Sequence, residues 1–175
     1  MFRSEKSIEQ IAALPFTPRD GGFEVMLVTS RKGKRWILPK GWPKHHETYA
    51  AAAMREAREE AGVIGTAHAM PVGEFTYQKK MRKGYVVRSR VFVFALLVGD
   101  IRDKWSEDKK RSRQWVPLGD AAGLVEDRNL ARLLAEVADG DTLHNVCSEL
   151  AAARGDAPDI RLVSCSNKRI AYEAD

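Results

Sequence analysis

Between Gly41 and Val63 the chain reads GWPKHHETYAAAAMREAREEAGV, and this stretch concentrates the residues best suited to chemistry. Ala, Met, Glu and Arg favour a helix from about Thr48 to Ala61, with Thr48 placed to cap its start and Gly62 to stop it. On such a helix Glu56, Glu59 and Glu60 stand at i, i+3 and i+4, so their carboxylates can share one face. Ala50, Ala53, Ala57 and Ala61 form the neighbouring stripe, small enough for close packing on a sheet. Gathered carboxylates repel one another unless a cation offsets them, and hard oxygen donors select Mg²⁺ or Mn²⁺ over zinc. The competing reading makes the glutamates a solvated face steadied by Arg55 and Arg58.

The residues before the helix decide between the two. Gly41, five residues, Glu47, seven residues, Arg55-Glu56, Ala57, one residue, Glu59-Glu60, one residue, Gly62 and Val63 form a pattern that resembles the Nudix hydrolases. Ala57 is smaller than the aliphatic residue usual at its position. The resemblance implies an α/β fold, an α/β/α sandwich around a mixed sheet, and metal-dependent hydrolysis of diphosphate linkages. It implies Glu59 and Glu60 as metal ligands, supported by Glu56 and the Gly41 carbonyl. Glu56 or a neighbour is then the group that deprotonates the attacking water, while Arg55 and Glu47 orient the acids. Chemistry agrees, because metal ions neutralise charge on the leaving phosphate and lower the pKa of bound water.

A formal charge of +5 favours an anionic partner, and its distribution says more than its total. Arg35, Lys40, Lys44, His45 and His46 precede the acidic helix, and Lys79, Lys80, Arg82 and Lys83 follow it. Together they are candidates to surround a highly phosphorylated small molecule. The setting RKGKRWILPKGWPKHHET is similar to diphosphoinositol polyphosphate phosphohydrolases and diadenosine polyphosphate hydrolases, although Trp42, Pro43 and Lys44 replace that subgroup's glycine-rich continuation. ADP-ribose or a nucleotide sugar is the rival substrate, with Trp36, Trp42, Phe75, Tyr77 or Tyr85 as a base pocket. A noncatalytic nucleotide-binding module is the rival of a different class. Nucleic acid is disfavoured by the absence of an RRM-like signature, zinc-finger spacing or a long basic arm. His45 and His46 lack the further ligands a zinc site needs, and His68 and His144 receive no role.

At 175 residues the chain suits one well-filled domain, read as residues 1–140 with an extension over 141–175 packed on it or continuing the same domain. No stretch suggests a membrane span or secretory signal, and Cys147 and Cys165 lie outside any CxxC arrangement, so a reduced, cytoplasmic protein is expected. Monomer and homodimer both stay open. An opening strand is expected over Ile8–Phe16, ended by Pro15 and Pro18, then turn material at Arg19–Gly22 and a buried strand over Phe23–Thr29. An interrupted strand is expected near Ala67–Tyr77, a basic turn over Gln78–Gly84, and the strongest strand over Tyr85–Val98. Gly99–Arg113 reads as a solvated loop, Gln114–Leu118 as a short strand and Asp120–Leu124 as a small helix. Leu130, Leu133, Leu134 and Val137 mark a helix over Asn129–Val137, and Leu143–Ala153 reads as another. RGDAPDI reads as a linker, and the tail from Arg161 as a strand, a subunit contact or a loose end.

Overall fold

The computed structural model describes residues 7–81 and 84–153. The linker and tail readings, together with Arg82 and Lys83, lie outside the described residues. Two strands, β1 (Ile8–Arg19) and β2 (Gly22–Thr29), form a hairpin across a two-residue turn, followed by the short β3 (Trp36–Ile37) and β4 (Lys40–Gly41). Then come α1 (Tyr49–Ala61), β5 (Val63–Ala67), β6 (Gly73–Lys80) and the 16-residue β7 (Val86–Ile101). β8 (Arg113–Pro117), α2 (Leu118–Leu124), α3 (Arg128–Asp139) and α4 (Thr142–Ala153) complete the order.

The strands make one mixed sheet, with β3, β2, β1, β7 and β5 in that order and β4, β8 and β6 pairing with β1, β2 and β7. Among the described strand pairs only β1 and β7 run parallel, from Ile8 opposite Ser89 to Phe16 opposite Leu97. β7 is long because its other edge carries two antiparallel partners in succession. β6 takes its first half and β5 its second.

β1 continues through both prolines. Ala13 donates its N–H to the Pro39 carbonyl at 3.0 Å, and the two-residue period turns the Pro15 nitrogen to that same side. There it falls between Ala12, the last residue paired with β4, and Phe16, the first paired with β2. Pro18 turns its nitrogen the other way, beyond Phe16, where the pairing with β7 has ended. Neither proline costs a ladder hydrogen bond, which is why neither ends the strand.

The interrupted strand near Ala67–Tyr77 is two strands, because residues 68–72 step from one half of β7's edge to the other. The basic turn is also shorter than expected, since β6 runs on to Lys80.

Alternation along β1 divides the core between two faces. Ala12, Leu14 and Phe16 pack with Leu130, Leu134, Leu143 and Val146 beneath α2, α3 and α4, whereas Ile11 and Ala13 meet Ala53, Ala57 and Ala61 of α1. Helices thus cover both faces of a mixed sheet, the α/β arrangement expected. Among the described residues no helix is long and apolar enough to cross a membrane.

Candidate active site

α1 begins as its sequence dictates, with Thr48 Oγ1 accepting the Ala51 N–H at 3.2 Å. It ends at Gly62, whose N–H reaches the Ala57 and Arg58 carbonyls and whose left-handed φ of 66° turns the chain out of the helix. The alanine stripe draws the helix against the sheet and carries two acids inward with it. Glu56 and Glu60 retain only 7% and 6% exposure, which rules out a wholly solvated glutamate face. The Glu59 side chain remains 40% exposed.

Arg55 gathers the first acidic group. Its Nε and Nη2 donate to the two Glu47 oxygens, each at 2.9 Å, and Nη1 donates to Glu56 Oε1 at 2.5 Å. Nη2 also reaches the Trp42 carbonyl at 3.0 Å, and Glu59 Oε2 lies 3.6 Å from Nη1. The fork therefore ties the loop before α1 to its acidic face. Gly41 is fixed by the same packing, because a Cβ there would collide with the Glu56 carboxylate. Arg55's hydrogen bonds hold Glu47 below the usual carboxylate range, whereas burial pushes Glu56 upward against the same arginine.

Glu60 is held by a different part of the chain. Its Oε2 accepts the Lys40 backbone N–H at 3.1 Å, and its Oε1 accepts from Arg111 Nη2. Arg111 also donates through Nε to Glu107 at 2.5 Å and through Nη1 to the Thr29 carbonyl at 2.8 Å. Arg31 closes the outer side of Glu107. Burial pushes the Glu60 carboxyl up to about 7, the Arg111 charge opposing it. Burial works against Glu107 too, but the hydrogen bonds from Arg31 and Arg111 together leave it below its ordinary value.

The segment expected as a solvated loop thus folds back onto the site. Trp105 Nε1 donates to the Glu60 carbonyl at 3.1 Å and Arg113 Nη1 to the Ala61 carbonyl at 2.6 Å, filling acceptors left open at the end of α1. Arg113 stacks 4.1 Å from the Trp105 ring. Glu107, Arg111 and Arg31 were absent from the residues singled out by sequence. The available signal was Trp105 in a polar run, followed by the i, i+4 pair Glu107 and Arg111.

Of the basic candidates, Lys40 and Lys79 come together near the acids. Burial lowers Lys40 to about 8 and lowers Lys79 as well, while the negative Glu60 opposes both shifts. Lys40 Nζ lies 5.3 Å from the Tyr77 ring and Lys79 Nζ 5.1 Å from the Trp42 ring. Arg35 is exposed and reaches Glu126 at 4.0 Å. Lys44 and the two histidines are exposed on the loop, the imidazoles stacked edge to face at 3.9 Å. Lys80 points to the opposite face of β6 from Lys79 and is not gathered with it. Among the aromatic candidates Phe75 is core, and Tyr77 donates to buried Gln10 at 2.5 Å. Trp42 and Tyr85 are exposed.

Among the described residues no three His, Cys, Asp or Glu side chains converge closely enough to hold a metal. The three-carboxylate cluster expected of α1 is instead parted between two arginines, because each buried acid turns to the nearest guanidinium. The donor set still suits a hard divalent cation: it consists of oxygens, and burial raises two of its acids in spite of the arginines paired with them and the Lys40 charge near Glu60.

A helix carrying two buried acids thus lies across a mixed sheet, clamped by arginines and flanked by lysines. The NUDIX domain profile matches residues 9–137, most of the chain, and the protein belongs to the Nudix family. Nudix hydrolase 4 of Arabidopsis thaliana is 37% identical over 104 residues, covering 59% of this chain and 48% of its own. Diphosphoinositol polyphosphate phosphohydrolase 3-beta of Bos taurus is 36% identical over 106 residues, covering 59% of this chain and 60% of its own. These matches thus span about half to three-fifths of the relatives' length. The crystal structure of a C. elegans Ap4A hydrolase binary complex superposes with a TM-score of 0.57 at 21% identity, over 75% of this chain and 96% of that one. That likeness establishes the fold.

Proposed function

We propose that the protein hydrolyses a phosphoanhydride bond in a highly phosphorylated small molecule, such as a diphosphoinositol polyphosphate or diadenosine polyphosphate, using Mg²⁺ or Mn²⁺. The observation that carries this reading is the buried pair Glu56 and Glu60 with Lys40 and Lys79 beside them. The 36% identity to a diphosphoinositol polyphosphate phosphohydrolase supports the substrate class.

Glu59, Glu60, Glu56 and the Gly41 carbonyl would hold the ion, which when bound lowers the pKa of water and offsets charge on phosphate. Arg55 and Glu47 hold Glu56 in one orientation. Glu56 or an adjacent acid takes the proton of the attacking water. Lys40, Lys79 and Arg35 offset the substrate's negative charge, with Lys44, His45 and His46 extending that shell along the loop.

One observation favours a second reading. Trp42 is 48% exposed, an aromatic surface on which the base of ADP-ribose or of a nucleotide sugar can stack. We take residues 1–140 as the hydrolase unit with α4 packed on it or continuing the same domain, supported by Leu143, Val146 and Leu150 in the shared core. A reduced, cytoplasmic setting is part of the reading, supported by the sparse cysteines.

The test is a panel of inositol pyrophosphates, diadenosine polyphosphates, ADP-ribose, nucleotide sugars and nucleoside triphosphates with Mg²⁺, the products resolved to locate the broken bond. Preference for ADP-ribose over every highly phosphorylated compound reverses the substrate assignment. Tight binding without turnover across the panel would make the protein a binding module.

A further inference from the structure

Both oxygens of Glu60 are taken, one by the Lys40 N–H and the other by Arg111. The Arg111 side chain is itself only 7% exposed, and its three nitrogens serve Glu107, the Thr29 carbonyl and Glu60. If Glu60 is withdrawn, Arg111 still has a carboxylate and a carbonyl, and Glu107 still has Arg31. Its contact with Glu60 is therefore the one that can be given up without stranding a buried charge. Arg55 differs, because its bonds to Glu47 and the Trp42 carbonyl tie the loop to the helix while the same guanidinium holds Glu56.

We propose that Arg111 is the resident counter-ion of Glu60, holding that carboxylate until a divalent cation displaces it. The proposal rests on the reading of Glu60 as an ion ligand. A monovalent guanidinium keeps the buried acid compensated in the metal-free protein, and a divalent ion competes with it for the same oxygen. Arg111 then withdraws onto Glu107 and the Thr29 carbonyl, so the segment over residues 102–112 senses whether the ion is bound. Displacement makes the arginine an opponent of ion binding, whereas a residue that merely positions Glu60 would assist it.

Mn²⁺ binding to the full chain, followed by calorimetry and by the paramagnetic signal of the free ion with no phosphorylated substrate present, separates the two. Arg111→Met is expected to bind Mn²⁺ about tenfold more tightly, since removing a competitor and adding the ion are reciprocal. Its metal-free form is expected to melt at a lower temperature and to gain more from Mn²⁺ than the unaltered protein does. Arg111→Lys keeps the charge but loses the three-way fork, and is expected to tighten binding about threefold. Weaker binding in either variant overturns the proposal. Tightening in Met with none in Lys also overturns it, because net charge alone then explains the change. If Arg111→Met does not fold, Arg111→Lys decides the matter by itself. An unaltered protein that binds Mn²⁺ yet hydrolyses nothing refutes the hydrolase reading alone, while one that takes up no ion refutes both.

Discussion

Two arginines perform similar work at opposite ends of α1's acidic face, yet they come from regions of very different character. Arg55 lies within the motif and grips Glu47, eight residues away, and its own neighbour Glu56. Arg111 comes from a run of charges after β7 and reaches 51 residues back to Glu60 and 82 back to the Thr29 carbonyl. A local clamp writes itself into a spacing pattern, whereas a long-range clamp depends on the sheet to bring its partners together.

The comparison breaks most sharply at the exposed acid, Glu59, which neither arginine buries. Glu59→Gln is expected to cut Mg²⁺-dependent phosphate release by orders of magnitude with an unchanged circular dichroism spectrum. A fully active, folded variant would remove Glu59 from the chemistry. Next comes the local clamp: Arg55→Lys keeps the charge and loses the fork, so a loss of about 10- to 100-fold in activity or ion affinity is expected. Steady-state kinetics beside a melting curve would expose a mere folding defect.

The long-range end predicts a stability effect. Burial pushes Glu60 up to about 7 from an ordinary 4.5. Between those values the folded state keeps a proton that the unfolded chain has released, so stability falls as pH rises through this window and the loss is complete above it. Glu60→Gln should flatten that slope in the metal-free protein, by about 3 kcal/mol between about pH 5 and pH 8. Urea unfolding at the two values measures it, and an undiminished slope in the variant assigns the effect elsewhere. The smallest change expected is in Trp105→Phe, which removes one donor to the end of α1. A cost of about 1 kcal/mol, or roughly 2–4 °C in melting temperature, follows.

What sequence reading recovered and what it missed divide along the same line. α1 with both caps, β2, most of β7 and the leucine stripe of α3 rest on short-range periodicity and capping, and all formed where their residues put them. β5 escaped because it is five residues long, begins directly after the Gly62 cap and is bulged between Ile64 and Gly65, which breaks the alternation that marks a strand. Pro15 and Pro18 misled because a proline's effect depends on which side its nitrogen faces, a property of the neighbours. At the site, the Arg55 grip on Glu47 was legible from their spacing under the family resemblance. The parting of the acids between two arginines was not, since it required knowing that residues 102–112 return to the helix end.

The parallel pairing of β1 with β7 carries a consequence for biosynthesis. β1 is synthesised before β7, so its parallel neighbour is incomplete until Leu97 has followed it out of the ribosome. In that interval the nascent chain has the hairpin with β2 and an uncovered apolar edge along Ile11 to Leu14. Translation speed between β1 and β7 therefore governs how long that edge stays open to chaperones or to neighbouring chains.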